Sequence, residues 1–379
     1  MSMHEFIFPF GPQHPALKEP VHFKFEIEDE VIKSASFRLG YAHRGIEKAF
    51  ESRDYIKNLY LSERICGICS FSHSTTYAMT VESLADVSVP KRADYIRTIL
   101  LELGRLQSHM LWLGIAAHEI GFDTLFMYAW RDRELVLSAI EKICGARVHY
   151  GYNCLGGVKR DLSDSAISEV RAMLSAFRPR LLEHIAMFGS DSTVAARCKG
   201  VGILSEEDAK RFCAVGPTAR ASGVPSDLRA TGHYAAYDDL DFTPVVEKEG
   251  DVFARVVVRL KEMLQSCDLI EQALDLPAGP VKVIFPRRMK RAEAIGHAEV
   301  PRGELFYYIR SNSSFTPERV KVRTPTYANF SSVESMLVGE SIAEIPIVFA
   351  SIDPCMSCTD RVTLVDRSGN ERIVRGDEL

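Results

Sequence analysis

Two Cys-x-x-Cys pairs stand near opposite ends of this 379-residue chain, and they constrain its fold more than any other feature. Cys66 and Cys69 form the first pair, and Cys355 and Cys358 form the second. The two sulfurs of such a pair can bind one ion, and thiolates favour zinc, nickel, copper(I) or iron–sulfur clusters. A site that draws ligands from both ends of a chain is built into the core. The pairs therefore predict a buried catalytic metal, with a structural four-cysteine zinc site as the open alternative.

The other five cysteines are isolated among apolar or mixed neighbours. They are predicted to be buried small hydrophobic residues: Cys144, Cys154, Cys198, Cys213 and Cys267. A disulfide framework is not expected, because a chain of this length can bury a core without covalent staples. The net charge of −5 gives no indication of a nucleic-acid surface or a polybasic membrane patch.

No membrane-spanning helix is expected. The most apolar helical stretch, 110–117, falls well short of the roughly 20 residues that span a bilayer. The first residues lack the basic start and apolar centre of a signal peptide. The sequence therefore predicts a cytoplasmic protein that associates with a membrane only through partners.

Hydrophobic periodicity predicts a mainly α fold with small β elements, an α+β long-helix bundle within a single domain spanning 1–379. Alternating residues predict an N-terminal antiparallel hairpin over about 20–40. Long helices are predicted at 91–120, 131–144, 163–190 (interrupted or bent near Pro179) and 251–276. Short strands are predicted at 281–285, 304–310 and 319–322, and a short apolar element at 345–352.

Two residues beside the first cysteine pair are candidates for assisting a metal. Arg64 precedes Cys66 by two positions, where a guanidinium can lower the pKa of a thiol. His73 follows Cys69 by four positions, so on a helix it shares the face of that cysteine and can hydrogen-bond a ligating sulfur. Taken singly, each has a plainer interpretation, as a surface charge and as a core histidine.

Together these residues form a run that resembles a known metal signature. The segment Arg64 to His73, RICGICSFSH, and the segment Asp353 to Arg361, DPCMSCTDR, resemble the two signatures of nickel–iron hydrogenase large subunits. Both halves occur in the family's order and at its two ends. A second motif that ends in Arg361 rather than histidine is similar to the membrane-bound, energy-converting branch of the family.

Other segments are similar to the quinone-site subunit of respiratory complex I, a relative of this branch. They are 11–15, 38–47, 108–114, 145–147 and 156–158. Complex I subunits lack the four metal cysteines, whereas this chain has all four, so the resemblance favours a hydrogenase.

The resemblance implies a role for each cysteine. Cys66 and Cys355 would bind nickel terminally, while Cys69 and Cys358 would bridge nickel and an iron that carries carbon monoxide and cyanide. A terminal thiolate, that of Cys355, would take the proton when dihydrogen is split.

Three further residues match functional positions of the family. Arg302 matches the arginine over the bimetallic centre, and Thr326 offers a hydroxyl for a cyanide ligand. Glu19 matches the proton-gate glutamate. Read alone, the first two are loop residues and Glu19 is a solvated charge at a strand start.

Two cysteine pairs cannot also hold an electron relay, so the resemblance implies an iron–sulfur small subunit, integral membrane subunits, and ferredoxin as carrier. Formate-linked and carbon-monoxide-linked complexes use similar large subunits, and that choice stays open. Two other classes of function also stay open: a catalytically silent coupling subunit like those of complex I, and a zinc-stabilised scaffold.

The chain continues past the second motif, whereas many hydrogenases lose a C-terminal peptide there. Alternating apolar residues predict a hairpin over 362–374 around a Ser-Gly-Asn turn. Such a pattern is poorly suited to a flexible peptide that is cleaved off, so the tail is predicted to remain attached. Its last residues, 375–379, are predicted to be exposed.

Overall fold

The structure is a computed structural model, and it describes residues 5–17, 19–359, 361–366, 368 and 371–375. Helices dominate this part of the chain. They are α1 (Ile46–Glu51), α2 (Tyr55–Glu63), α3 (Ser70–Leu84), α4 (Lys91–Ile120), α5 (Asp123–Cys144), α6 (Asp164–Ser190), α7 (Ser192–Cys198), α8 (Glu206–Arg211), α9 (Gly216–Arg220), α10 (Leu228–Thr231), α11 (Val252–Ala273), α12 (Pro325–Leu337) and α13 (Ile345–Ser351). Single 3₁₀ turns lie at Tyr237–Asp239, Ile342–Glu344 and Met356–Cys358.

The strands form small antiparallel sheets at the margins of the helices. They are β1 (Glu5–Phe10), β2 (His22–Glu28), β3 (Val31–Arg38), β4 (Asn153–Cys154), β5 (Gly157–Val158), β6 (Arg291–Val300), β7 (Gly303–Asn312), β8 (Arg319–Arg323), β9 (Arg361–Val365) and β10 (Glu371–Arg375). Their orders are β1-β2-β3, β4-β5, β6-β7-β8 and β10-β9. The predicted fold class, mainly α with small β elements and an N-terminal hairpin, is confirmed.

Helix α4 is the central element and has the predicted bounds. Pro90 precedes it in an extended conformation, and Gly121 closes it with a left-handed φ of 91°. Most of its residues are buried, because α5, α11 and α13 pack around it. The predicted bounds, 91–120, are met because the proline before the helix and the glycine after it act locally, whatever packs nearby.

Two predicted helices and one predicted strand need correction. Helix α5 begins at Asp123, eight residues before the predicted start, because its first turns expose Met127 and Trp130 and so lack an apolar periodicity. Helix α6 runs through Pro179 without interruption, since Phe177 and Leu181 on either side are fully buried in its packing face.

The predicted strand 281–285 is wrong. The segment makes one isolated bridge, between Lys282 and Gly157, and the apolar side chain of Ile284 is 98% exposed. Its partner β5 is only two residues long, so no ladder can extend along it. Conversely, β1 and β6 were not predicted. Pro9 lies within β1, and β6 is rich in alanine and polar residues with only its last three residues buried.

A network of buried ion pairs joins α4, α9, α11 and β6. Arg220 contacts Glu262 and Glu299, both at 2.8 Å, and Glu262 also contacts His109 Nε2 at 3.0 Å. All four side chains are nearly inaccessible to solvent. Removing one partner from a buried pair of this kind typically costs about 3–5 kcal/mol, so the network makes the relative placement of these elements specific.

No helix in the described part of the chain combines the length and the apolar character needed to cross a bilayer.

Candidate metal centre

The two Cys-x-x-Cys segments meet in the core. Cys66 lies in the turn after α2, and Cys69 is the residue that precedes α3. Cys355 follows α13, and Cys358 ends the 3₁₀ turn after it. All four side chains are buried and belong to one apolar cluster between α3 and the β6-β7-β8 sheet.

The four sulfur atoms lie close together. The Sγ atoms of Cys66 and Cys355 are 3.5 Å apart, and those of Cys355 and Cys358 are 3.0 Å apart. Within the described residues, Cys66, Cys69 and Cys358 form a candidate metal site whose sulfurs lie within 4.8 Å of one another. The structure therefore gathers both predicted pairs in one place.

The cluster has the chemistry of a metal-binding thiolate set. In a tetrahedral site with metal–sulfur bonds of 2.3 Å, neighbouring sulfurs are about 3.8 Å apart, close to the separations seen here. The neighbouring thiols, Cys355 foremost, and the positive charge of Arg302 hold the pKa of Cys66 well below its ordinary value. The neighbouring sulfurs and burial raise the pKa of Cys358 well above its ordinary value. A soft divalent cation would displace the retained protons, so the residues fit such an ion.

Backbone and side-chain hydrogen bonds hold the two cysteine segments in place. The Sγ atom of Cys66 accepts from the N–H groups of Ile68 and Cys69, both at 3.4 Å. Arg44 donates to the carbonyl oxygens of Arg64 and Ile65 in the first segment, both at 2.8 Å. The same guanidinium donates to the Ser357 carbonyl of the second segment at 2.9 Å, so Arg44 ties the two segments together.

Arg302 lies beside the cluster, as the resemblance implied. Arg302 lies in the turn between β6 and β7, and its side chain is buried. The guanidinium donates to the Asp353 carbonyl oxygen at 2.7 Å and to the Asp353 carboxylate at 2.8 Å. Thr326, at the start of α12, accepts from the N–H of Cys355 at 3.2 Å. That bond uses the oxygen of the Thr326 hydroxyl as acceptor and leaves its proton unused.

Glu19 reaches the second cysteine segment from the N-terminal part of the chain. Its carboxylate accepts a short hydrogen bond from the N–H of Met356. Burial raises the pKa of Glu19, and the Cys66 thiolate adds to the rise, while the Met356 bond and Arg302 act in the opposite direction. Glu19 and Arg302 both line a cavity of about 200 Å³ against helix α4.

His73 faces a sulfur of the second cysteine pair. On the first turn of α3, its Nε2 atom lies 4.0 Å from Cys358 Sγ. The contacts of Arg64 do not lead to the sulfurs: its half-exposed guanidinium donates to the Tyr60 carbonyl at 3.1 Å and lies 3.4 Å from the Glu63 carboxylate. The cation that lowers the pKa of Cys66 is Arg302.

Three residues of the site were not singled out by the sequence: Arg44, Asp353 and Ser357. Ser357 Oγ lies 3.1 Å from Cys355 Sγ, and the Ser357 hydroxyl lowers the pKa of Glu19. A signal existed for each, since Arg44 lies in a segment similar to complex I and the other two lie in the second metal signature. Their roles depend on contacts across the fold, which no local pattern reveals.

The fold and the cluster together define an α+β subunit whose core holds the donor set of a soft metal. Two family profiles match the chain. The respiratory-chain NADH dehydrogenase 49 Kd subunit matches residues 119–290 and 283–361, and the nickel-dependent hydrogenase profile matches residues 44–114.

Individual relatives cover nearly the whole chain. The membrane-bound hydrogenase subunit alpha of Pyrococcus furiosus is 40% identical over 389 residues, covering 98% of this chain and 91% of that protein. The carbon monoxide-induced hydrogenase of Rhodospirillum rubrum is also 40% identical, over 95% of this chain and 100% of that protein. A chain in the structure of the membrane-bound sulfane sulfur reductase, an archaeal respiratory membrane complex, superposes with a TM-score of 0.89 at 33% identity, covering 95% of this chain and 98% of that one.

The chain therefore belongs to the family that unites the large subunits of membrane-bound, energy-converting hydrogenases with the 49 kDa subunit of respiratory complex I. The predicted relationship is confirmed.

Proposed function

We propose that this chain is the catalytic large subunit of a nickel–iron hydrogenase that oxidises dihydrogen and reduces protons reversibly. The observation that carries the proposal is the buried cluster of four thiols, with Arg302 and Glu19 beside it. A coupling subunit with no metal has no need of four converging cysteines. A zinc scaffold has no need of a buried carboxylic acid beside them.

The ligand set follows from the cluster. Cys66 and Cys355 would hold nickel, and Cys69 and Cys358 would be shared with an iron that carries carbon monoxide and cyanide. When bound, this centre would supply heterolytic cleavage of dihydrogen. Arg302 and Thr326 are the donors that could hydrogen-bond the diatomic ligands in an otherwise apolar pocket.

The chain's own residues offer a route for the proton. Cys355 Sγ lies 3.1 Å from Ser357 Oγ, and the Ser357 hydroxyl acts in turn on Glu19, lowering the pKa of its carboxyl group. The raised pKa of Glu19 lets the carboxyl group hold this proton at higher pH than an exposed glutamate can. Ser357 can therefore pass a proton between the terminal thiol and the acid.

Electrons must leave through another protein, because the remaining cysteines are scattered and do not form a second cluster among the described residues. We infer an iron–sulfur small subunit, linked to ferredoxin and to integral membrane subunits on the cytoplasmic side of the membrane. In support, the relatives include subunits described as membrane-bound.

A second candidate is a silent coupling subunit of the complex I type. The long match to the 49 Kd subunit profile, over residues 119–361, favours it. This candidate and the hydrogenase differ in whether the four thiols carry metal and chemistry.

Isotope exchange tests the proposal directly. The complex, purified without oxygen and placed under deuterium gas in ordinary water, is expected to release HD and dihydrogen. Exchange needs only the cleavage site and its proton route, so it does not depend on the electron carrier. A complex with intact subunits that shows no exchange above a buffer blank would favour the coupling subunit.

We further propose that residues 1–379 form one domain that keeps its tail. Strands β9 and β10 pair antiparallel, with Thr363 opposite Ile373. Residues 376–379, which were predicted to be exposed, lie outside the described part of the chain, as does the side chain of Arg375.

The mass of the intact subunit in the active complex is expected to include the tail, because β9 and β10 form a regular antiparallel pair. Mass spectrometry of the nickel-loaded subunit decides the matter. A mass that ends at Arg361 would show that the hairpin is a peptide removed during maturation.

A further inference from the structure

A buried tyrosine contacts the histidine beside the cysteine cluster. His73 Nδ1 lies 2.8 Å from the hydroxyl oxygen of Tyr307, and His73 Nε2 lies 4.0 Å from Cys358 Sγ. Both rings are buried and meet edge to face, with an interplanar angle of 77°. Tyr307 occupies an inward position of β7, between buried Leu305 and Ile309, so the strand places its hydroxyl against α3.

The direction of these hydrogen bonds follows from the donors available. Burial, together with the neighbouring cysteines, raises the pKa of Tyr307 well above its ordinary value, so the phenol keeps its proton. Among the described contacts of the Tyr307 hydroxyl, His73 Nδ1 is the acceptor within hydrogen-bond distance, so a phenol that donates its proton there makes Nδ1 an acceptor. A neutral imidazole has one N–H, and it is left on Nε2, facing Cys358.

The opposite tautomer is unfavourable at the same atoms. It would set the Nε2 lone pair against the sulfur of Cys358, with no imidazole proton between the two atoms. It would also turn the buried Tyr307 hydroxyl from a donor to Nδ1 into an acceptor, leaving its proton with no described partner.

We propose that Tyr307 is a positioning residue that fixes His73 in the Nε2–H tautomer, so that the imidazole donates a hydrogen bond to Cys358. Through that bond Tyr307 sets the electron density on a sulfur of the cluster. The tautomer stands on the contacts alone, whereas its effect on a bound centre rests on the proposed function.

The tautomer is measured by nitrogen NMR on the full chain produced with ¹⁵N-histidine. The His73 signals are identified by their loss in the His73→Gln variant. Wild-type protein is expected to show a protonated Nε2 and an unprotonated Nδ1, and Tyr307→Phe is expected to give a mixture of both tautomers. Tyr77→Phe is the matched control, because its buried hydroxyl bonds the Tyr55 carbonyl at 3.1 Å and not His73. A protonated Nδ1 in wild type, or a tautomer that Tyr307→Phe leaves unchanged, would overturn the proposal.

The effect on the centre is measured by infrared spectroscopy of the loaded complex. Losing the donated bond makes the sulfur more electron-rich, so Tyr307→Phe is expected to shift the iron-bound carbon monoxide band to lower wavenumber. The shift is expected to vanish when Tyr307→Phe is added to a His73→Leu background, since the two residues act in series. Equal shifts in both backgrounds would contradict a role through His73. Absence of the band in wild type would refute the proposed function, and the tautomer would still be decided by NMR.

Discussion

Replacing Cys358 by serine is expected to abolish the metal centre, with nickel and iron content falling to background and hydrogen turnover lost. The Cys358 sulfur lies 3.0 Å from that of Cys355 and within 4.8 Å of those of Cys66 and Cys69, so it is close to every other sulfur of the cluster. A serine hydroxyl is a hard ligand that stays protonated near neutral pH, and it cannot replace a thiolate shared between two soft metals. Cys69→Ser is expected to have the same effect.

Cys198→Ser provides the matched control, because Cys198 is also fully buried but lies in α7, outside the cluster. That variant is expected to keep its nickel and iron, measured by plasma mass spectrometry on the anaerobically purified complex. Retention of both metals and of full turnover in Cys358→Ser would show that Cys358 is not a metal ligand.

Replacing Glu19 by glutamine is expected to lower hydrogen turnover by about 10² or more, the usual loss when a general acid–base group is removed. Glutamine keeps the volume of the side chain, and its amide oxygen can still accept from the N–H of Met356. It cannot carry a proton at this position. The metal content and the infrared bands are therefore expected to stay unchanged while turnover falls.

Glu30→Gln is the control for this variant, because Glu30 is an exposed carboxylate in the turn between β2 and β3. Ser357→Ala probes the same route from its other end, and it should lower turnover without loss of nickel. Wild-type rates in Glu19→Gln would mean that protons leave by another path.

Features that are fixed by local chemistry could be read from the sequence. The bounds of α4 depend on Pro90 and Gly121, whose backbone preferences act without neighbours. The two cysteine pairs have spacings that predict chelation wherever they fold. Their meeting in one cluster followed from the resemblance, and the structure brings them together.

Features that depend on distant contacts could not be read in the same way. The spacing of Arg64 suggested the cation that would act on the thiols, but Arg302, more than 200 positions away, fills that place. Asp353 orients the Arg302 guanidinium, and Arg44 joins the two cysteine segments. Both use hydrogen bonds that form only after the chain has folded. The start of α5 was missed for a related reason, since its exposed Met127 and Trp130 break the amphipathic pattern.

Metal analysis combined with infrared spectroscopy of the anaerobically purified complex tests the central claim most directly. The account predicts nickel and iron near one atom each per chain, with bands from metal-bound carbon monoxide and cyanide. Zinc alone in the four-cysteine cluster, or a cluster without metal in an otherwise intact complex, would contradict it.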